Sequence, residues 1–225
     1  MIHDVLDELK NELPPTVKLV AVSKFHPFEA IVQAYEAGQR VFAESRPQEL
    51  FAKEKQRSEL VKLEGRMSDL QWHFIGHLQT NKIKMVLPYV SMVQSVDSLH
   101  LLEAINKWGS DNAKVTDILI ECHISADQAK QGFSEAELDS FVNSDASYPF
   151  VRILGVMGMA SLTDDVDLIR GEFRHLVALL DVLRKREGTL FCNEISMGMS
   201  EDYRIAVEEG ATIVRIGSLI FGSRN

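Results

Sequence analysis

Short β-rich runs alternate with amphipathic helical stretches along almost the whole chain, and this alternation restricts the fold more than any other feature. The β-rich runs are LVAVS, RVFAES, WHFIGH, MVQSVDS, DILIECHIS, VRILGVMGMA, FCNEISMGMS and TIVRIGSLIFG. The helical stretches are FEAIVQAYEAG, PQELFAKEKQRSEL, NKIKMVLPYV, SLHLLEAINKWG, SEAELDSFVN, DLIRGEFRHLVALLDVLRKRE and DYRIAVEEGA. Strands that alternate with helices pair in parallel, and LVAV and DILI have the continuous apolar character of strands buried on both faces. Eight such units in 225 residues predict a (β/α)8 barrel.

A further helix is expected before the first strand. Apolar residues recur at helical spacing from Ile2 to Leu13, and Pro14-Pro15 ends that pattern. The alternative fold is a doubly wound open sheet, but no GxGxxG follows the first strand. No Pro-, Gly- or Ser-rich linker divides the chain. We therefore expect residues 1–225 to form a single α/β domain, a TIM-type barrel with an extra N-terminal helix.

Composition argues against several classes of partner. The net charge of -9 is unsuited to a nucleic-acid or anionic-membrane surface, which needs clustered Lys and Arg. Cys122 and Cys192 are the only cysteines, which predicts neither a disulfide framework nor a structural metal. His73 and His77 lie four residues apart, but on a predicted strand this spacing does not make a helical metal-binding pair. No run approaches the ~18 apolar residues of a membrane span, and the start MIHDVLDELK is acidic. These features predict a cytoplasmic protein.

The barrel prediction also predicts where a site lies, because barrel active sites form where strands end and βα loops begin. Polar or small residues occupy the predicted strand ends: Lys24, Glu44-Ser45, Gly76-His77, Asp97-Ser98, His123, Gly158-Met159, Gly198-Met199-Ser200 and Gly217-Ser218. A lysine at a strand end is either the point where the strand reaches solvent or a reactive amine. The charged run FAKEKQRSELVKLEGR is expected to be a solvated helix face.

Glycines and serines follow the last two predicted strands, in ISMGMSEDY and VRIGSLIFG. Barrels frequently hold phosphate in these loops, where backbone amides face an anion. Gly198 and Gly217 would let the backbone approach closely, and Ser196, Ser200 and Ser218 would supply hydroxyls. The glycines can equally be turn residues, with Ser200 as the N-cap of the next helix, and the two interpretations are compatible.

Arg215 has the same strand parity as Ile213 and Gly217, so all three face the same way. A guanidinium near the barrel mouth needs an acceptor. Either a carboxylate such as Glu194 or the ring nitrogen of a ligand would serve.

Five segments resemble the pyridoxal phosphate homeostasis protein family: AVSKFHP, WHFIGHLQTNKIK, SVDSLHLLEAIN, GVMGMAS and SMGMSEDYRIAVEEGATIVRIGSLIFG. The similarity extends from about Lys18 to Gly222. Members of the family are similar to the barrel half of fold-type III enzymes such as alanine racemase, which use pyridoxal 5′-phosphate (PLP). The resemblance implies that Lys24 forms a Schiff base with PLP and that Arg215 faces the pyridine nitrogen.

The same resemblance implies a phosphate site and two departures from the family. One is the segment HISADQAKQGF from His123 to Phe133, which is looser than the family pattern and lies partly outside the residues that the structure describes; the other is Ser45. Ser200, Gly217 and Ser218, with backbone near Met199, would hold the phosphate, and Ser196 lies close by. Ser45 stands where family members commonly have Asn, so the resemblance leaves open whether this position contacts the cofactor ring.

Carriage of PLP is a better expectation than catalysis. A guanidinium does not give up its proton, so a ring nitrogen facing Arg215 stays unprotonated and the cofactor is a poor electron sink. A racemase also needs an acid/base group on each face of the cofactor. The sequence ends soon after the eighth strand, so we expect no second domain over the open face, and only Tyr203 lies near it.

The expected function is therefore PLP homeostasis, with PLP and apo PLP-dependent enzymes as partners and no nucleic acid, membrane or metal. Without the dimer-building part of the racemases, a monomer is expected. Two alternatives stay open. One is a small fold-type III enzyme with weak racemase or transaminase activity on amino acids, and the other is a barrel enzyme acting on a sugar phosphate.

Overall fold

Eight strands form a closed barrel in a computed structural model that describes residues 1–125, 131–186, 188–189 and 191–222. Each strand pairs in parallel with the next, and the last pairs with the first, so the sheet has no edge. The strands are β1 (Lys18–Val22), β2 (Val41–Glu44), β3 (Gln71–Phe74), β4 (Val90–Val96), β5 (Thr116–Glu121), β6 (Val151–Met157), β7 (Glu194–Ser196) and β8 (Ile213–Ile216). The predicted (β/α)8 barrel is confirmed, and the open sheet is not observed.

Helices surround the barrel, and the predicted opening helix is present. The described helices are α1 (Ile2–Glu12), α2 (Phe28–Glu36), α3 (Pro47–Glu64), α4 (Ile83–Val86), α5 (Leu99–Asn112), α6 (Glu135–Val142), α7 (Val166–Leu183), α8 (Tyr203–Glu208) and α9 (Ser218–Phe221), with a 3-10 turn at Thr80–Lys82. Among the described residues, no helix is long and apolar enough to cross a lipid bilayer.

Some predicted boundaries are wrong. The stretch NKIKMVLPYV contains only the 3-10 turn and the four-residue α4, and β4 begins inside it, at Val90. Pro88 explains this early end, because a proline has no backbone N–H with which to continue the helical hydrogen bonds after Leu87. The run TIVRIGSLIFG is a strand only as far as Ile216 and continues as α9. Short apolar runs have no periodicity that separates a strand from a buried helix.

Side chains that alternate along the strands form two apolar clusters. The larger cluster lies between strands and helices and includes Phe42 and Trp72. The fully buried core of the smaller cluster comes from the strands alone: Val20, Val22, Ala43, Met92, Leu119, Met157 and Ile213. This second cluster is therefore the interior of the barrel. Side chains two positions apart on a strand share a face, so the residues two positions after Met92, Leu119 and Ile213 also point into the barrel. These residues are polar: Gln94, Glu121 and Arg215.

The opening helix α1 packs on the barrel near the last strands. Its apolar side chains Leu6 and Leu9 are buried. At its C-terminal end Glu12 accepts hydrogen bonds from the Tyr203 hydroxyl at 3.0 Å and from Arg204 Nε at 2.5 Å. Helix α1 is thereby tied to the start of α8, directly after the loop that follows β7.

Candidate functional site

The residues predicted to form a site all lie on four neighbouring strands or on the loops that follow them. They are Ser196, Met199 and Ser200 of β7 and its loop, Arg215, Gly217 and Ser218 of β8 and its loop, Lys24 after β1, and Ser45 after β2. Because β7, β8, β1 and β2 are consecutive in the barrel, these residues form one arc at its C-terminal mouth. The arc is the part of a barrel where ligands bind.

Lys24 occupies a tight turn after β1. The strand ends at Val22, two residues before the lysine, so the predicted strand was slightly too long. The amide of His26 donates to the carbonyl of Ser23 at 3.1 Å and closes the turn. Phe25 has a φ of +69°, in the left-handed region that a residue with a Cβ rarely adopts. Lys24 itself is partly buried at the rim of the mouth.

A buried cluster of charges contacts both neighbours of Lys24. The Nζ of Lys53 donates to the Ser23 carbonyl at 2.8 Å, to Glu44 Oε1 at 2.7 Å and to Glu49 Oε1 at 2.8 Å. The Ser23 hydroxyl donates to the same Glu44 oxygen at 2.6 Å. On the other side, the amide of Phe25 donates to Glu49 Oε1 at 2.5 Å. The turn is thus held before and after the lysine.

The prediction of a solvated face for FAKEKQRSELVKLEGR is wrong in part. Lys53 and Glu54 are each only 5% exposed. Glu54 accepts from Trp72 Nε1 at 2.7 Å and from Arg57, so it too has buried partners. The signal was present in the sequence, because these two residues lie three and four positions after the buried Leu50, on the same helix face.

Arg215 begins a chain of hydrogen bonds that crosses the barrel interior. Its Nη1 donates to Ser196 Oγ at 2.7 Å, and its Nη2 donates to the Gly158 carbonyl at 3.0 Å. The Ser196 hydroxyl donates to Gln94 Oε1 at 2.6 Å, and Gln94 Nε2 lies 2.7 Å from His73 Nδ1. An amide nitrogen only donates, so His73 Nδ1 accepts and its proton is on Nε2. Burial lowers the pKa of His73 to about 3, which keeps the ring neutral.

Of the two partners considered for Arg215, the carboxylate of Glu194 does not pair with it in the described structure. Glu194 instead lies 3.4 Å from Lys18 Nζ and accepts from the Thr212 hydroxyl at 2.7 Å. Burial lowers the pKa of Arg215 to about 10, and the charge of Glu121 opposes that change. The guanidinium therefore stays protonated at neutral pH and can only donate. Neither Gln94 nor His73 was identified from the sequence as part of this arrangement.

Glycines allow close backbone packing in the two loops expected to hold phosphate. Gly198 has a φ of +88°, and a Cβ there would lie 2.6 Å from the Ala206 Cβ. A Cβ on Gly217 would lie 3.0 Å from the Val22 carbonyl oxygen. The loop after β8 therefore passes directly beside the end of β1, where Lys24 follows.

The loop after β7 differs in detail from the prediction. The amide of Met199 donates to Asp202 Oδ1 at 2.6 Å, so this backbone donor already has an acceptor. Helix α8 has Asp202 as its N-cap residue, so the alternative that Ser200 caps this helix is wrong. Ser200 is partly exposed and Ser218 is exposed, and both lie at the mouth. Ser196 is fully buried and lies beneath them.

Acidic groups lie on the side of the mouth opposite Lys24. Glu121 ends β5, which is four strands from β1 in the closed ring. Its pKa is raised to about 7, chiefly by burial and further by Asp97, against the charges of Arg215 and His77. Asp97 lies 2.7 Å from His77 Nδ1. A titratable carboxyl facing the lysine was not predicted, although it lies two residues after the inward-facing Leu119.

Ser45 lies close to the backbone of the neighbouring loop. A Cβ on Gly76 would be only 2.0 Å from the Ser45 carbonyl oxygen, so the two backbone segments are in contact. The hydroxyl of Ser95 donates to the Gly76 carbonyl at 2.6 Å and fixes this crossing. Ser45 remains partly exposed at the mouth.

Comparisons with known proteins identify close relatives over the whole barrel. Residues 2–225 match the family described as "Alanine racemase, N-terminal domain". The pyridoxal phosphate homeostasis protein of Aquifex aeolicus is 38% identical over 207 residues, which are 92% of this chain and 87% of that protein. That of Haemophilus influenzae is 33% identical over 96% of this chain and 89% of its own length.

Solved structures also superpose on nearly the whole chain. PipY of Synechococcus elongatus PCC7942, with PLP bound, superposes with a TM-score of 0.88 at 34% identity, over 99% of this chain and 100% of PipY. The alanine racemase of Corynebacterium glutamicum superposes with a TM-score of 0.71 over 99% of this chain and 60% of the racemase. Its identity of 17% supports a shared fold alone.

Proposed function

Because the chain belongs to the pyridoxal phosphate homeostasis protein family, we propose that it binds PLP and keeps and delivers this cofactor rather than turning over amino acids. The binding site is the arc of loops after β7, β8, β1 and β2. The observation that carries the proposal is the position of Arg215, a buried cation on β8, beside the strand that leads to Lys24.

The residues of the arc match the three functional groups of PLP. Lys24 carries the primary amine that an aldehyde needs, and Arg215 carries a protonated guanidinium suited to the ring nitrogen. Hydroxyls of Ser200 and Ser218 and the close-packed backbone at Gly217 suit the phosphate. When bound, PLP would supply an aldehyde, and a neutral lysine amine would form an imine with it by losing its two protons as water with the aldehyde oxygen. We propose Lys24 as the residue that makes this Schiff base.

Arg215 gives the site its character as a carrier. Its hydrogen bonds go to a hydroxyl and a carbonyl, and it has no proton to give up to a ring nitrogen at neutral pH. A ring nitrogen placed against it accepts a hydrogen bond and stays unprotonated, so charge that develops next to the ring is poorly stabilised. This arrangement holds the cofactor without making it a strong catalyst.

Ser196 and Met199 receive different roles in this proposal. The hydroxyl of Ser196 is occupied by Arg215 and Gln94, so it supports the guanidinium that faces the cofactor. The amide of Met199 reaches a phosphate only if Asp202 releases it. Ser45 is proposed to border the ring on the β2 side.

The test is the absorption spectrum of the purified protein, followed by chemical trapping. We expect a visible band, and borohydride reduction should fix the PLP mass on the peptide that contains Lys24. Lys24→Ala should lose the band. Lys107→Ala changes an exposed lysine on α5 and should keep it. A label on another lysine, or no label, would refute the assignment.

A small fold-type III enzyme acting on amino acids is the second candidate. The raised pKa of Glu121 favours it, because a carboxyl that titrates at about 7 on the far side of the mouth is an acid/base group facing the lysine. Turnover of an amino-acid panel at enzyme-like rates, lost in both Lys24→Ala and Glu121→Gln, would establish this candidate. For the carrier we expect no robust turnover.

We further propose that the chain acts as a cytoplasmic monomer and passes PLP to apo PLP-dependent enzymes. Light scattering should report the mass of one chain. An apo-enzyme should regain activity when it is mixed with the PLP-loaded protein, and Lys24→Ala should lose this ability.

A further inference from the structure

We propose that Lys53, with Glu44 and Glu49, is a positioning group for Lys24: it fixes the turn on both sides of the lysine so that the amine faces the barrel mouth. The inference rests on the proposed function, because it concerns how Lys24 reacts with an aldehyde. It adds residues of the outer layer, between β2 and α3, to a site otherwise built from strand ends.

The first argument is where the hydrogen bonds go. Lys53 binds the carbonyl of Ser23, the residue before Lys24, and Glu49 accepts from the amide of Phe25, the residue after it. Two peptide groups that flank one side chain are thus held by a single ion-paired cluster. Loss of Lys53 would leave the Ser23 carbonyl with the His26 amide as its donor, and it would remove the Nζ that holds Glu49 at 2.8 Å.

The second argument is that the turn needs to be held. Phe25 adopts a φ of +69°, which is strained for any residue with a Cβ. Strain of this kind persists only when surrounding contacts determine the conformation, and it concentrates at functional sites. Phe25 is 43% exposed, with its ring against the Arg46 guanidinium rather than in the apolar core, so core packing does not impose this conformation.

The third argument is the cost of the cluster itself. Glu44 is fully buried, and Lys53 is 5% exposed. Among the described residues, Glu44 Oε2 has no hydrogen-bond partner, so both of its bonds, to Lys53 and to the Ser23 hydroxyl, are made through Oε1. Buried ion pairs are weak sources of stability, and an orphaned oxygen makes this one weaker. A role in fixing one geometry accounts for its presence better than a role in holding the barrel together.

The experiment compares two ligands that differ only in the aldehyde. Pyridoxine 5′-phosphate has the same ring and phosphate as PLP but an alcohol in place of the aldehyde, so it binds without reacting with an amine. For Lys53→Met we expect affinity for PLP to fall at least about tenfold while affinity for pyridoxine 5′-phosphate changes less than about threefold. The control is Lys55→Met, an exposed lysine on the same helix, for which both affinities should stay at the wild-type values.

The outcomes separate this inference from the proposed function. If the wild-type protein binds PLP no better than pyridoxine 5′-phosphate and shows no visible band, the proposed function fails. If the wild-type protein prefers PLP and Lys53→Met keeps the same preference, the positioning role is overturned. An equal loss of both ligands also overturns it, since it would indicate general damage.

Glu49→Ala provides a second variant should Lys53→Met fail to fold. It removes the acceptor of the Phe25 amide and leaves the Lys53–Glu44 pair in place. We expect the same selective loss of PLP affinity, and Glu49→Gln, which keeps an oxygen acceptor, should restore most of it. Equal ligand preference in Glu49→Ala and wild type would contradict the proposal.

Discussion

Replacing the hydroxyl of Ser196 with hydrogen should destabilise the barrel far more than a single surface change, because that hydroxyl joins two buried groups. It accepts from Arg215 Nη1 at 2.7 Å and donates to Gln94 Oε1 at 2.6 Å. Arg215 is 4% exposed, and Gln94 and Ser196 are fully buried. Ser196→Ala therefore leaves a charged donor and an amide oxygen with one partner fewer inside the barrel.

The size of the effect follows from these two losses. A hydrogen bond to a charged group contributes about 1.5–3 kcal/mol, and an unsatisfied neutral acceptor costs about 1–3 kcal/mol. Arg215 keeps its bond to the Gly158 carbonyl, which limits the loss on its side. We expect the free energy of unfolding to fall by about 3 kcal/mol, a large part of the 5–15 kcal/mol that is usual for a domain.

Urea denaturation of Ser196→Ala and of Ser200→Ala measures this difference. Ser200 lies partly exposed in the loop after β7, and its loss should change the free energy of unfolding by less than about 0.5 kcal/mol. Binding of inorganic phosphate should show the opposite order, weakened by Ser200→Ala and little changed by Ser196→Ala. A fall below about 1 kcal/mol for Ser196→Ala with an unchanged denaturant slope would refute the argument that this hydroxyl links the two groups. Weaker phosphate binding by Ser196→Ala than by Ser200→Ala would indicate that Ser196 contacts the phosphate directly.

Two further predictions concern single residues. Burial raises the pKa of Glu121 from 4.5 to about 7, so the folded state binds a proton more tightly than the unfolded state, and the free energy of unfolding falls as pH rises between these values. Glu121→Gln should remove this pH dependence and raise the free energy of unfolding at pH 8 by about 3 kcal/mol. Denaturation at several pH values measures both effects. An unchanged slope would show that another group titrates there. Gly198→Ala should lower the free energy of unfolding by about 1–3 kcal/mol, because an alanine is strained at a φ of +88° and its Cβ would lie 2.6 Å from the Ala206 Cβ. Gly171→Ala, with open space around a helical glycine, should instead gain about 0.5–1 kcal/mol, and equal effects at both glycines would contradict the steric argument.

The architecture was readable from the sequence because a closed parallel barrel leaves a regular pattern. Strands buried on both faces are apolar throughout, and each is followed by a helix with one apolar face, so eight repeats indicate closure. Boundaries were less predictable where the pattern is short. After β8 the run SLIF is as apolar as the strand, and only the three-dimensional structure separates it as α9.

The predicted site residues came out on neighbouring strands because strand ends are identifiable one at a time, and the barrel brings them together. Contacts between side chains from distant elements could not be predicted in this way. The bond between Ser196 and Gln94 joins residues 102 positions apart, and nothing local to either marks the other. The role of Lys53 was hidden by its chemistry, since a charged residue on a helix is usually solvated.

The position of Arg215 bears on how an acidic protein would hold the anionic cofactor proposed for it. A guanidinium paired with a buried carboxylate would be neutralised, but Arg215 is held by a hydroxyl and a carbonyl, and the nearby Glu194 is engaged by Lys18. Among the described residues Arg215 therefore has no direct ion-pair partner, although the charges of Glu121 and Asp202 act on it from a distance. Glu121, one of these two carboxyls, has a pKa raised to about 7 by burial, so its negative charge is reduced near neutral pH. The net charge of -9 thus describes the whole chain, while the proposed site would offer the guanidinium of Arg215 and the amine of Lys24 to a phosphorylated aldehyde.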